Sequence, residues 1–387
     1  DMAVADRRQP AFDPVPIRLG SFELLSSAGA SAAYTDNVYA TKGDKIDDLI
    51  GTFSASANLR SNWARHQLRL FARDDLIEYA SQSSQSENTY GIGGTGRLDI
   101  VDGSTLQAGG EFFRAIVSRL TTRSVAETER QITYRQARAF AGGTFGARQF
   151  RLVGSVDYRH QDFNSVRLLD QLTVEDFTDR DVYNGTARAE YAISPVWSAF
   201  VRGQVNKRDF LDRGGSRLPR DSRGYEVTAG TNFEVGQLLR GDVSFGYLSQ
   251  SFKAPAFRDY DGLAYHAQLE YFPTRLITLS LNADREFADA ALVDVGGFIA
   301  NTFSVSADYE RLRNLVFSTQ LGFGSDSYQG FDLRYHRSFA RTEARYTLHP
   351  RLVATARYSF DARSASGTEP AREFTVNTFQ LGLAYRF

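Results

Sequence analysis

From about Gly20 onward, apolar and polar residues alternate with a period of two. Phe53, Ala55, Ala57 and Leu59 alternate with Ser54, Ser56, Asn58 and Arg60. The rhythm returns in Leu152, Gly154, Val156 and Tyr158, in Tyr225, Val227, Ala229, Thr231 and Phe233, and in Ile277, Leu279, Leu281 and Ala283. Successive side chains of a strand point to opposite faces, whereas a helix repeats about every 3.6 residues, so the pattern is that of half-exposed strands. It predicts about eighteen of them. Their expected spans are 20–36, 48–61, 65–79, 88–101, 105–119, 131–145, 149–163, 180–193, 196–210, 223–235, 239–252, 261–272, 275–288, 299–311, 315–327, 332–348, 352–363 and 373–387. The sixth is hardest to phase, because Gln136 to Gly146 is mostly small residues. No segment predicts a helix beyond a turn or two.

The connections alternate in length. Ser61–Ala64, Val101–Ser104, Gly146–Arg148, Ser194–Pro195, Val235–Gln237, Phe272–Thr274, Arg313–Asn314 and His349–Arg351 are tight. The stretches 80–87, 121–130, 164–179, 211–222, 252–260 and 364–372 are longer and polar. Strict short–long alternation is the signature of a transmembrane barrel with short periplasmic turns and longer external loops. A propeller would show a blade-length repeat, and none is present. The nine prolines fall in the first residues, the turns or the loops, never inside an expected strand. Proline cannot donate to a ladder, and a closed barrel has no edge to hold one. Trp63 and Trp197 sit beside short turns, where an interfacial aromatic girdle belongs. Tyr34, Tyr39, Tyr79, Tyr90, Phe252 and Tyr260 are expected to form the opposite girdle. The expected fold is therefore an all-β, antiparallel up-and-down transmembrane barrel over 20–387, preceded by a periplasmic lead-in over 1–19.

Composition narrows the chemistry. The formal net charge is −1 over 387 residues, which gives no electrostatic footprint for nucleic acid. There are no cysteines, hence no disulfide framework and no thiolate site. No apolar run approaches the roughly 18 residues of a membrane helix, a fact that leaves barrels untouched. Asp1 opens the sequence without an apolar leader, which is compatible with export of a processed chain.

The polar face of the strands is rich in long charged groups. Arg69, Arg73, Arg151, Arg188, Arg202, Arg341, Arg345 and Arg357 stand against Glu226, Glu270, Asp284, Asp308 and Glu343. About eighteen strands enclose more space than side chains fill, so this face is expected to line an aqueous lumen and the apolar face to meet outer-membrane lipid. Inward charges of both signs are also expected to pair across strands. No segment looks large enough to plug the lumen; 164–179, with Leu168, Leu169, Leu172, Val174 and Phe177, is the best candidate to fold inward or cap a mouth.

The chain resembles the β-barrel porins encoded with bacterial exopolysaccharide-secretion genes. The resemblance is carried by Tyr34-Thr35-Asp36-Asn37-Val38-Tyr39-Ala40, Leu59-Arg60-Ser61-Asn62-Trp63-Ala64-Arg65-His66, Tyr191-Ala192-Ile193-Ser194-Pro195, Gly224-Tyr225-Glu226-Val227, Gly246-Tyr247-Leu248-Ser249-Gln250 and the terminal Tyr385-Arg386-Phe387. It spans nearly the whole chain, with loops 164–179 and 211–222 outside it. It implies outer-membrane residence and passage of a secreted polysaccharide, with periplasmic secretion components as further partners. It implies no catalytic residues and no cofactor. The last strand also resembles the C-terminal signal of outer-membrane barrels, which implies that Gly382, Tyr385 and Phe387 are read by the barrel-assembly machinery. Leu381, Leu383, Tyr385 and Phe387 are expected to face lipid, Gln380 and Arg386 the lumen, and this strand to pair with 20–36.

Other chemistries find little support. An enzyme needs a nucleophile, a base and an orienting group together. His66, His160, His266, His336 and His349 do not announce such a set. Asp44, Asp47 and Asp48, or Asp259 and Asp261, read as solvated acidic loops rather than calcium sites. Gly91-Ile92-Gly93-Gly94 lacks the helix and lysine of a phosphate loop. The alternative to polysaccharide export is a general or solute-selective diffusion porin.

Overall fold

The computed structural model describes residues 3–4, 7–101, 103–121, 128–147, 149–167, 173–174, 179–211, 220–290, 295–369 and 371–387. Eighteen long strands follow one another among these residues. They are β1 (Phe22–Thr35), β2 (Asp48–Ser61), β3 (Gln67–Tyr79), β4 (Glu87–Val101), β5 (Ser104–Ile116) and β6 (Thr133–Ala147). Next come β7 (Phe150–Phe163), β8 (Arg180–Ser194), β9 (Trp197–Phe210), β10 (Ser222–Val235), β11 (Leu239–Phe252) and β12 (Tyr260–Thr274). The last are β13 (Ile277–Asp289), β14 (Gly297–Leu312), β15 (Leu315–Tyr328), β16 (Leu333–His349), β17 (Leu352–Gly367) and β18 (Phe374–Arg386). Each pairs antiparallel with the next, and β18 returns to β1 through Ser27↔Arg386 to Thr35↔Thr378. Closure satisfies the backbone of both would-be edges, as a wall in hydrocarbon requires.

Two short ladders stand outside the barrel strands. Ile17–Leu19 folds back on Phe22–Leu24, so the last residues of the lead-in already touch the sheet. Val166–Arg167 pairs with Thr173–Val174 in the longest loop. Leu168, Leu169, Leu172 and Phe177 lie outside the described residues.

The register identifies the faces. Leu381, Leu383 and Tyr385 lie opposite Ala32, Ala30 and Ala28, and are among the exposed large apolar residues, with Phe379, Phe53, Ile92, Phe245 and Leu263 on the same side. Charged side chains on strands that are not neighbours meet across the concave side. Arg188 on β8 reaches Asp242 on β11 at 2.9 Å, and Arg202 on β9 lies 3.1 Å from His266 on β12. The apolar face is thus the outside and the charged face the inside. Ambiguous β6 resolves with Ala137, Ala139, Ala141 and Phe145 outward, while Arg138 points in, between Glu111 and Asp157.

All five register shifts fall beside short turns: Asp99/Val101, Ala192/Ser194, Tyr271/Thr274, Glu310/Leu312 and Thr347/His349. Bulges tighten twist where the chain reverses. One of them corrects an expectation. β12 runs through Thr274, so Pro273 lies inside a strand; the ladder tolerates it because its partners skip there, and no N–H is called for.

The wall departs from a cylinder at one seam. β12 and β13 pair only from Tyr265↔Arg285 downward, although β12 begins at Tyr260 and β13 ends at Asp289. Above that point β13 stays with β14, through Asp289↔Gly297, and the pair leans into the lumen. Residues whose phase points outward, Phe287 and Ile299, then pack on the lumen-facing Leu248, Tyr260 and Ala264. On the other side, Ala288, Ala290, Phe298 and Ala300 pack on lumen-facing Tyr328, Leu333 and Tyr335. The sequence singled out 164–179 as the segment to fold inward; among the described residues it is the apolar β13–β14 end that packs in the long-loop mouth.

Candidate functional site: the lumen

The middle of the lumen is a paired polar wall. Arg202 donates to Glu226 (2.8 Å), and His266 lies between Glu226 (2.9 Å) and Asp284 (3.1 Å). Arg188 joins Asp242 and lies 3.4 Å from Glu190. Arg341 pairs with Asp361 at 3.1 Å, Arg357 with Glu343, and Glu270 with Arg240. Asp308 accepts from Ser318. Of the predicted lining residues, Arg69, Arg73, Arg151 and Arg345 also fall on the inward phase but have no ion pair among the described residues. Three of them, Arg69, Arg151 and Arg345, lie in the half nearer the short turns.

A second lumen feature is absent from any charge inventory. Phe71, Phe140, Phe200 and Phe339 all point inward, each directly opposite a glycine: Gly93, Gly109, Gly230 and Gly322. The rings lie over those glycines so closely that a Cβ at Gly230 would meet the Phe200 ring at 2.6 Å. Arginines cover three of the rings: Arg188 at 3.5 Å from Phe200, Arg341 at 4.5 Å from Phe339 and Arg138 at 4.9 Å from Phe140. Flat stacking keeps bulky rings against the wall, and each ring holds a guanidinium by its π face. The pairing of an in-phase Phe with a Gly on the next strand was readable only once the register was known.

The two mouths are furnished differently. In the short-turn mouth, lead-in residues Ala3 and Val4 are buried, and the Val4 N–H donates to Thr278 Oγ1 at 2.9 Å. Arg7 donates to Glu310 at 2.7 Å, and Gln9 to its other oxygen at 3.0 Å. The long-loop mouth holds the β13–β14 end. Asp289 there lies 3.3 Å from Arg208 and 3.6 Å from Arg180, and Arg220 donates to the Ala290 carbonyl at 2.8 Å.

The interfacial aromatics divide. Trp63 and Trp197 are half exposed at short turns, Trp63 edge-on to Phe22 at 5.7 Å. Tyr34 and Tyr90 lie on the outer face. Phe252 and Tyr260 instead turn inward, Phe252 stacking near Phe257 and Phe287, and Tyr79 and Tyr39 bond Gln131 and Gln82. Those four are corrected from girdle to mouth packing: the leaning hairpin and the folded loops offer apolar partners inside. At the C-terminus, Tyr385 and Phe387 stack edge-on at 5.0 Å on the outer face, the Phe387 N–H donating to Ser26 O at 2.8 Å. Gly382 faces inward between Ser31 and Thr355.

Catalytic and metal chemistry gain nothing from the geometry. Both His266 ring nitrogens face carboxylates, so neither is left to activate a hydroxyl. Among the described residues no group of acidic or histidine side chains could hold a metal.

An eighteen-stranded closed wall with apolar exterior and charged interior defines an outer-membrane-type β-barrel. Residues 9–387 match the family model described as "Putative beta-barrel porin 2", and the chain belongs to that family. No curated protein matches the sequence. Solved structures share the fold. OpdO of Pseudomonas aeruginosa superposes with a TM-score of 0.50 at 14% identity, over 94% of this chain and 97% of that one. OccK2 (OpdF) of the same organism gives 0.50 at 12% identity, over 94% and 98%. The siderophore receptor PirA gives 0.50 at 8%, over 94% and 80%. At such identities the likeness speaks for fold alone. The family is one of β-barrel porins.

Proposed function

We propose that the barrel sits in the outer membrane of a Gram-negative bacterium and conducts hydrated, hydroxyl-rich and partly acidic cargo, a secreted polysaccharide. The observation that supports this most is the set of unpaired lumen arginines, Arg69, Arg73, Arg151 and Arg345. A guanidinium without a carboxylate partner is available for bidentate bonds to acidic sugars, and the paired residues around it offer polar groups to hydroxyls. Furnished mouths argue against an unselective, permanently open pore. The test is reversal potential and conductance in planar bilayers across a salt gradient. Anion preference that weakens in an Arg69→Ala/Arg345→Ala double variant is the expected result. A large conductance with no ion preference, unaltered by that variant, would make this a general diffusion porin.

Lipid and the barrel-assembly machinery belong to the same proposal. Removing Phe387 takes an aromatic from the closing seam, and the outer-membrane level of the truncated chain is expected to fall. Normal levels would count against Gly382, Tyr385 and Phe387 as an assembly signal.

A further inference from the structure

The β13–β14 end is held in place by more than apolar packing. Asp289 reaches across the lumen to two arginines on β8 and β9, Arg180 and Arg208. All three side chains are nearly buried, with exposures of 12%, 13% and 11% for Arg180, Arg208 and Asp289. Arg180 is held by groups outside the hairpin, whereas Arg208 leans on the hairpin itself. Arg180 donates to Gln161 at 2.8 Å and is flanked by the Phe163 and Phe210 rings at 5.6 and 5.7 Å. Arg208 lies over Phe287 at 5.1 Å. The site opens on a lumen cavity of about 580 Å³, shared with Arg159, Arg202, Asn206 and Glu226. Arg208 Nη1 and Asn206 Oδ1 border this cavity, both buried and without a hydrogen-bond partner. A pair of arginines with an unused donor, beside a polar cavity, is a receptor for a planar anion. Here the anion comes from the chain itself, at the place where β12 and β13 part.

We propose that Arg180 and Arg208 form an anion-binding site in the lumen, that Asp289 occupies it as a tethered surrogate, and that a carboxylate-bearing sugar displaces Asp289 and releases the β13–β14 end. The seam where β12 and β13 part supplies the freedom to move. Release exposes Ala290 and Val295, now 2% and 1% exposed. A ligand opens an element only through preference for the released state, and competition for one site supplies that preference.

The chain has no cysteine, so a single reporter is clean. Ala290→Cys, with Val295→Cys as second reporter, is labelled by a small polar maleimide in proteoliposomes at fixed chloride and ionic strength. Sodium glucuronate is expected to raise the labelling rate several-fold, and glucose to leave it unchanged. Adding Asp289→Asn is expected to give the fast rate without glucuronate and to abolish the response. Rates unmoved by glucuronate at both reporters would overturn the proposal, as would an Asp289→Asn background that labels as slowly as the parent. This inference concerns the lumen site and rests on the channel reading only for its purpose. The labelling readout needs no current, so absence of bilayer conductance would sink the channel and leave the displacement result standing.

Discussion

The two mouths of the barrel are closed by different physics. In the long-loop mouth the wall itself bends inward and buries Ala288, Ala290, Val295 and Phe298 against Tyr328, Leu333 and Tyr335. In the short-turn mouth a separate segment is held by polar bonds, chiefly Arg7 and Gln9 to Glu310. Apolar burial is worth roughly 25 cal/mol per Å² and is insensitive to salt. A part-exposed ion pair is worth about 0–1 kcal/mol and is screened. The long-loop end should therefore control passage, and the short-turn end should trim it.

The largest effect is expected from removing the hairpin end. Replacing 287–299 by a short Gly-Ser turn should raise single-channel conductance several-fold; an unchanged value would show that the apolar plug does not set the bore. Next comes Phe298→Ala, which leaves a cavity between the hairpin and Tyr328. A truncation of this kind costs about 3–5 kcal/mol in a full core, and less here beside water. It should appear as more frequent openings rather than a larger open current. A smaller rise is expected for Glu310→Ala, together with faster proteolysis of residues 7–13. High salt should mimic that variant more fully than the Phe298 one, because the long-loop end keeps its apolar contacts when the Asp289 pairs are screened. The smallest effect concerns Glu373, outside the wall beside the long-loop mouth. Its hydrogen bond from Lys42, then one from the Ala365 N–H, holds its carboxyl below the usual range. That contribution is present above the ordinary carboxylate pKa and is lost as pH falls through the depressed value. Hydrogen exchange around residues 40–45 should quicken in that acid window, with conductance little changed.

The strands were legible because one face of the wall is apolar and the other polar, which stamps a two-residue period on almost every segment. Asp48–Ser61 and Leu239–Phe252 lie where the pattern puts them, and the others differ by a few residues at their ends. The inward lean of β13–β14 was not legible, because Phe287 and Ile299 keep the phase of a lipid-facing strand. The available signal lay in the partners. Leu248, Ala264, Phe298, Tyr328 and Tyr335 are apolar residues on the polar phase, all toward the long-loop ends, and such residues need something to cover them. The charged lining could be named residue by residue, but its pairing could not. Arg188 meets Asp242 across two intervening strands, a distance in sequence that no local pattern encodes.

The seam between β18 and β1 sets a condition on manufacture. The first strand made is the last to find its second neighbour, so one edge must wait while the whole wall forms. Closing a loop of that span is slow, and a waiting edge invites pairing with other chains. β1 meets this with its composition: from Ser26 to Ala33 both phases carry only serine, alanine and glycine. Such an edge offers hydrogen bonds but almost no apolar side chain, so wrong partners gain little from it. The correct one brings Leu381, Leu383 and Tyr385 to lie over those alanines.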